Sequence, residues 1–370
     1  MTNFEKWNNA FQSNNLFAFN HNEKALLYLK VRAICRGKLI KDFTEKYQLE
    51  LKSTKVKNQF SELYSLLENN PNGKNMLNTF LQDRNNEWYK TKKINEEFNE
   101  EFNEKEVTSG LRKIDTYEWG GDQNNSLDQY LVKRYVKDIS NYNTLQKKAD
   151  EIATNAWKFV QTSWYNKWTS YLIESIFKKH ERVLSAIGEI KSVDFFIDDY
   201  PIDLKVTYFP NEYMENRLKE KIGNKELTWL KKKAKALGIK SGKKLSNSEQ
   251  ITFLKEELEN NGHSEVIKQL TDTKKYIIEE VRKHPKTLIK WLYEHQSVRL
   301  FGAENRLFLV LVDIKDMKQS WKMKRDFSLL EPKITEYLNK FSAKSLKKIT
   351  FNFKGTNYTS LSNIIFIVKE

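Results

Sequence analysis

Gly188-Glu189-Ile190-Lys191-Ser192-Val193-Asp194-Phe195-Phe196-Ile197-Asp198-Asp199-Tyr200-Pro201-Ile202-Asp203-Leu204-Lys205-Val206-Thr207 holds two apolar runs separated by a polar, proline-containing break. Val193 to Ile197 is a short run rich in apolar and aromatic residues, which predicts a strand. Asp198-Asp199-Tyr200-Pro201 predicts a turn. Ile202 to Tyr208 alternates apolar and polar residues and predicts a second strand. The two are expected to pair as a hairpin. Side chains alternate along a strand, so Asp203 and Lys205 share one face while Ile202, Leu204 and Val206 share the other. Asp194 can then approach Asp203 from the adjacent strand. Two carboxylates and an ammonium would converge at a sheet edge.

Upstream, residues 144–180 predict a long helix. Trp157, Val160, Trp164, Trp168 and Tyr171 form one helical stripe, which is expected to face the core. Downstream, residues 211–300 predict a lysine-rich helical insertion. Within it Ser246 and Glu249 fit a capping box, and Pro285 fits the first turn of a helix running to about Glu294. Arg306 to Asp313 predicts a buried strand, and Ile349 to Phe353 and Ile364 to Val368 predict two more. Residues 1–150 are mainly helical and polar, broken by Asn70-Pro71-Asn72-Gly73 and by Gly120-Gly121-Asp122. The expectation is an α/β (α+β) chain in two parts. One is a helical region at 1–150 for DNA binding or dimer contacts. The other is a domain at 151–370 interrupted by the insertion at about 211–300.

Convergent carboxylates beside a lysine suit metal-assisted hydrolysis of a phosphodiester. Mg²⁺ takes oxygen ligands, usually one or two carboxylates together with substrate phosphate and water. It acidifies water and stabilises charge in the transition state, and a lysine can add to both effects. Buried carboxylates without a cation would be costly. Asp194 followed by Asp203-x-Lys205 on an adjacent strand resembles the active-site motif of the PD-(D/E)xK nuclease superfamily, best known from type II restriction endonucleases. Val193 stands where the motif's proline would be. Glu174, in Ser170-Tyr-Leu-Ile-Glu174-Ser-Ile-Phe, matches the acidic helix that precedes the motif, and Glu189 is a competing carboxylate. The resemblance covers about 40 contiguous residues and a later strand at Arg306 to Asp313. It implies a restriction-endonuclease-like mixed sheet flanked by helices. It also implies Mg²⁺-dependent DNA cleavage, with Mn²⁺ as a possible substitute. Asp194, Asp203 and Glu174 would hold the metal, and Lys205 would position water or stabilise charge. A homodimer would cut both strands, and a cognate DNA methyltransferase could belong to the same system.

Charge agrees with a polyanionic partner. Lys and Arg total 64 against 49 Asp and Glu, a formal net charge of +15. Candidate contacts to double-stranded DNA are Lys231, Lys243, Arg299, Asn305, Arg306, Lys322, Lys324 and Arg325. The single cysteine, Cys35, excludes an internal disulfide framework and any Cys-clustered zinc site. Gly238-Ile-Lys-Ser-Gly242-Lys-Lys has the wrong spacing for a P-loop, the five histidines show no HxxxH or HNH-like grouping, and no G-x-S-x-G elbow is present. No apolar run is long enough for a membrane span, and Met1 to Asn15 lacks the pattern of a secretory signal. The expected location is the bacterial cytoplasm, with no membrane partner.

Overall fold

The expected hairpin lies inside one six-stranded mixed sheet. The computed structural model describes residues 1–13, 15–20, 22–91, 103–121, 126–190, 192–240, 245–296 and 302–370, with the side chains of 86–91, 188 and 189 left aside. The strands are β1 (Val183–Ile190), β2 (Val193–Ile197), β3 (Tyr200–Tyr208), β4 (Arg306–Asp313), β5 (Lys347–Phe353) and β6 (Thr356–Lys369). Their order across the sheet is β1-β2-β3-β4-β6-β5. β1, β2 and β3 form an antiparallel meander. β4 runs parallel to both β3 and β6, and β5 returns antiparallel to β6. A parallel neighbour needs a crossover connection. Here it contains the helices Asn211–Ile222, Glu226–Ala236, Asn247–Asn260, Ser264–Lys283 and Lys286–Glu294, so the insertion is helical as expected. Ser246 and Glu249 form the capping box, and Pro285 stands at the N-cap of the last of these helices.

Strand alternation divides the core into packs. Leu307, Leu309 and Leu311 of β4 point with Ile202 and Leu204 of β3 toward the long helix Ala149–Lys178 and the C-terminal helix Phe327–Asn339. Phe308, Val310 and Val312 point the other way, into the insertion. At the opposite end of the sheet, Ala186, Ile190, Val193 and Phe196 of β1 and β2 pack on helices drawn from residues 3–81. Neither of these last two packs contains a described residue of β3. The Asp203 and Lys205 side chains project from the face of β3 opposite to Ile202 and Leu204.

The turn between β2 and β3 is tighter than the sequence suggests. Pairing continues to Ile197↔Tyr200, leaving only Asp198 and Asp199 in the loop. Both have positive φ, 45° and 71°. That geometry fits a type I′ hairpin, whose backbone twist matches the strands and which aspartate tolerates. Each carboxylate is also tied to a distant element. Asp198 pairs with Arg182, whose guanidinium also donates to the carbonyls of Leu338 and Phe341 at 2.9 Å. Asp199 pairs with Lys30 and, at 2.8 Å, with Lys74.

Lys30 is fully buried, and burial pulls its ammonium below the usual lysine range. Asp199→Asn should therefore destabilise the fold by about 3–5 kcal/mol, because it strips a buried ammonium of its counter-charge. Lys30→Met should be close to neutral, since Asp199 keeps Lys74 and partial hydration. Urea melts of the two variants check this asymmetry.

The aromatic stripe is a correction. Trp157 is 61 % exposed and Val160 51 %, so the stripe leaves the core over its first half. Tyr165 and Leu172 are buried instead, one residue off the stripe. Helical periodicity shows which residues share a face but not which face is covered.

Candidate active site

Asp194 is the second residue of β2 and Asp203 the fourth of β3. The ladder between them includes Phe195↔Ile202, and one more step in that register sets Asp194 opposite Asp203. Asp194 Oδ2 accepts the amide hydrogen of Leu204 at 2.7 Å, anchoring the carboxylate across the strand gap. The Asp194 carboxyl is pushed up to about 6 from 3.8. Burial is the largest cause, followed by the negative charges of Asp203 and then Glu174. The Leu204 amide opposes this shift without cancelling it. Keeping Asp194 ionised in the fold thus costs about 3 kcal/mol, at 1.36 kcal/mol per tenfold change in proton affinity.

Asp203 is buried. Its Oδ2 accepts from Arg306 Nε at 2.8 Å, and Lys205 Nζ stands 3.4 Å from its Oδ1. Lys205 is half exposed, so the pair opens to solvent on the lysine side. The alternation expected from the sequence therefore holds, with Asp203 and Lys205 on one face and Ile202 and Leu204 in the apolar layer behind them. Glu174 lies on the long helix, where its Oε2 pairs with Lys178 at 3.0 Å. Its field reaches Asp194. The side chain of Glu189 lies outside the described residues.

Three carboxylates thus share one neighbourhood, in which Asp203 is paired with Arg306 and Lys205 and Glu174 with Lys178. Among the described residues no three His, Cys, Asp or Glu side chains are drawn tightly enough to cage a metal by themselves. Mg²⁺ does not need such a cage, since it keeps several waters and completes its shell with substrate phosphate oxygens. Asp194 and Asp203 offer hard oxygen donors, and a cation there would offset the burial and the repulsion that together raise Asp194. The donor set fits Mg²⁺, and it fits Mn²⁺ by the same oxygen chemistry.

The basic residues expected to contact DNA divide sharply. Lys231 on the helix Glu226–Ala236 is half exposed, as is Lys322, whose ammonium lies 5.6 Å from the centre of the Trp321 ring. Lys243 and Arg299 lie outside the described residues. The rest turn inward and correct the expectation. Asn305 is buried, donates to the carbonyl of Pro201 at 3.2 Å and accepts from the amide of Leu361 at 3.1 Å. Arg306 is buried between Asp203 and Glu304. Lys324 is buried over the ring of Tyr208, and burial pulls its ammonium down to about 8. Arg325 donates to the carbonyls of Leu111 and Ile114 at 2.5 and 2.6 Å. Each of these groups already has protein partners that a phosphate would have to displace.

Arg306 was legible only as a cation. That it faces Asp203 follows from the parallel register Asp203↔Arg306, which joins residues 103 positions apart. Among the described residues no helix is long and apolar enough to cross a membrane. No protein-family model, curated protein or solved structure matches the chain, so its reading rests on the residues themselves.

Proposed function

We propose that this chain is a Mg²⁺-dependent endodeoxyribonuclease of the PD-(D/E)xK kind, resembling a type II restriction endonuclease that cuts duplex DNA at a short sequence. The observation that carries the reading is the meeting of Asp194, Asp203 and Lys205 on adjacent strands, with Lys205 open to solvent. The topology supports it as well. A long helix leads into the antiparallel meander β1-β2-β3, and a crossover then brings β4 parallel to β3, an arrangement similar to the core that the motif implies. The net charge of +15 supports a polyanionic substrate.

Asp194 and Asp203 would hold the ion, with Glu174 close by. Bound there, Mg²⁺ would supply charge neutralisation at the scissile phosphate and acidify water. Asp194 stays fixed by the Leu204 amide. Lys205 supplies a mobile positive charge beside Asp203, placed to orient the attacking water or to stabilise charge developing on phosphate oxygen. Half-exposed Lys205 opens the site to solvent, which is where the backbone of a duplex would approach. A homodimer would bring two such sites to the two strands, and a two-fold axis would match a palindromic site.

Incubation with unmethylated phage DNA in Mg²⁺ tests the reading. Discrete fragments support a site-specific enzyme, and their ends give the site. A smear supports a superfamily nuclease of repair, recombination or phage defence without a fixed site. DNA left intact in both Mg²⁺ and Mn²⁺ contradicts the proposal and favours a non-catalytic nucleic-acid-binding protein.

A further inference from the structure

The guanidinium of Arg306 is 4 % exposed and meets acceptors on all three nitrogens. Nε donates to Asp203 Oδ2 at 2.8 Å, Nη2 donates to Glu304 Oε2 at 2.9 Å, and Nη1 donates to Gln296 Oε1. The group lies 5.4 Å from the centre of the Tyr293 ring, and Tyr293 in turn donates to the carbonyl of Glu304 at 2.8 Å. Arg306 also opens β4, directly opposite Asp203 in the parallel ladder. Backbone register and a rigid planar fork therefore fix it together.

The consequence falls on Asp203. A carboxylate has two oxygens and can bind a cation through one or both. Here Oδ2 is bound from behind by Nε, and Oδ1 is left on the side of Lys205. We infer that Arg306 is a positioning residue for metal binding: it holds Asp203 in one rotamer and restricts it to a single metal-facing oxygen, Oδ1. This rests on the nuclease reading above, and it deepens that reading by naming what orients the ligand. Glu304 and Gln296 accept from the two terminal nitrogens of Arg306, which leaves Nε for Asp203. Partners of this kind behind a metal ligand set its orientation and basicity.

The test measures Mn²⁺ binding to DNA-free protein by electron paramagnetic resonance, alongside the Mg²⁺ dependence of cleavage. Arg306→Gln should raise the Mn²⁺ dissociation constant and the half-saturating Mg²⁺ concentration by about 10–100-fold. The KM for DNA at saturating Mg²⁺ should stay near that of the wild type. Arg306→Lys should restore metal affinity only in part, because a point charge cannot make the same fork. Glu304→Gln disturbs the same buried arginine but leaves the Asp203 hydrogen bond, so its metal affinity should remain near the wild-type value. A merely structural role would lower affinity in both variants alike, and that result overturns the inference. If Arg306→Gln alone does not fold, Arg306→Gln/Glu304→Gln removes both charges of that pair and carries the measurement. Unchanged Mn²⁺ affinity in the folded double variant also overturns it. A wild type that cuts DNA while the Arg306 variants keep its metal dependence sinks only this inference. A wild type that neither binds Mn²⁺ nor cuts DNA sinks the nuclease reading and this inference with it.

Discussion

Asp194→Asn is expected to melt at a higher temperature than the wild type at pH 7.5 and to lose Mg²⁺-dependent cleavage. Both effects come from one cause. Burial and the charges of Asp203 and Glu174 push the Asp194 carboxyl up to about 6. The folded state therefore holds this proton more tightly than the unfolded chain does. Stability is full below the unfolded value near 3.8, falls as pH rises through about 6, and stays low above it. Asparagine removes the charge yet still offers an oxygen to the Leu204 amide. The variant should gain about 1–3 kcal/mol at pH 7.5, a rise of a few degrees in melting temperature. The gain should shrink toward pH 4. Mg²⁺ should raise the melting temperature of the wild type more than that of the variant. Cleavage should fall at least about 100-fold, since even the partners behind metal ligands are worth about 10–100-fold. Such opposition between stability and activity is common where function requires a strained site. A variant that melts lower than the wild type at pH 7.5 would show that burial and repulsion do not govern this carboxylate.

Lys205→Ala is expected to slow single-turnover cleavage by about 10²–10³-fold, the loss typical of one preorganised charge aimed at the transition state. The fold should not register the change. Lys205 is half exposed, and its ion pair with Asp203 at 3.4 Å is long and open to solvent on one side. Substitutions at such positions stay within about 0.5 kcal/mol. The KM for DNA should move less than the rate, because one lysine is a small part of phosphate contact across a duplex. Lys205→Arg should not restore the rate. A planar fork has a different reach and hydration from a compact ammonium. Wild-type rates in Lys205→Ala would remove Lys205 from the chemistry and leave it a solvated strand residue.

The parts of this site that were legible in the sequence are local. β2 and β4 appear at Val193–Ile197 and Arg306–Asp313 as read, and Ile202–Tyr208 lies within β3, because dense apolar or alternating runs define strands by themselves. The shared face of Asp203 and Lys205 follows from strand period alone. β1 was missed. Val183–Ile190 lacks clean alternation, follows closely on the long helix and shifts register between Ser185 and Ile190, as an edge strand can. Asp198 and Asp199 were read as turn residues, and their long-range ion pairs with Arg182, Lys30 and Lys74 leave no local trace. The reversal at Arg306 has the same origin. Its composition suits phosphate contact, but parallel pairing delivers it to Asp203.

The decisive comparison sets the wild type against Asp194→Asn on unmethylated duplex DNA, in Mg²⁺ and in EDTA, with DNA binding followed in Ca²⁺. The wild type is expected to cut in Mg²⁺ and not in EDTA, and Asp194→Asn to bind the same DNA without cutting it. A wild type that binds DNA but leaves it intact in Mg²⁺ and Mn²⁺, with the variant indistinguishable from it, would rule out a nuclease and make these carboxylates structural.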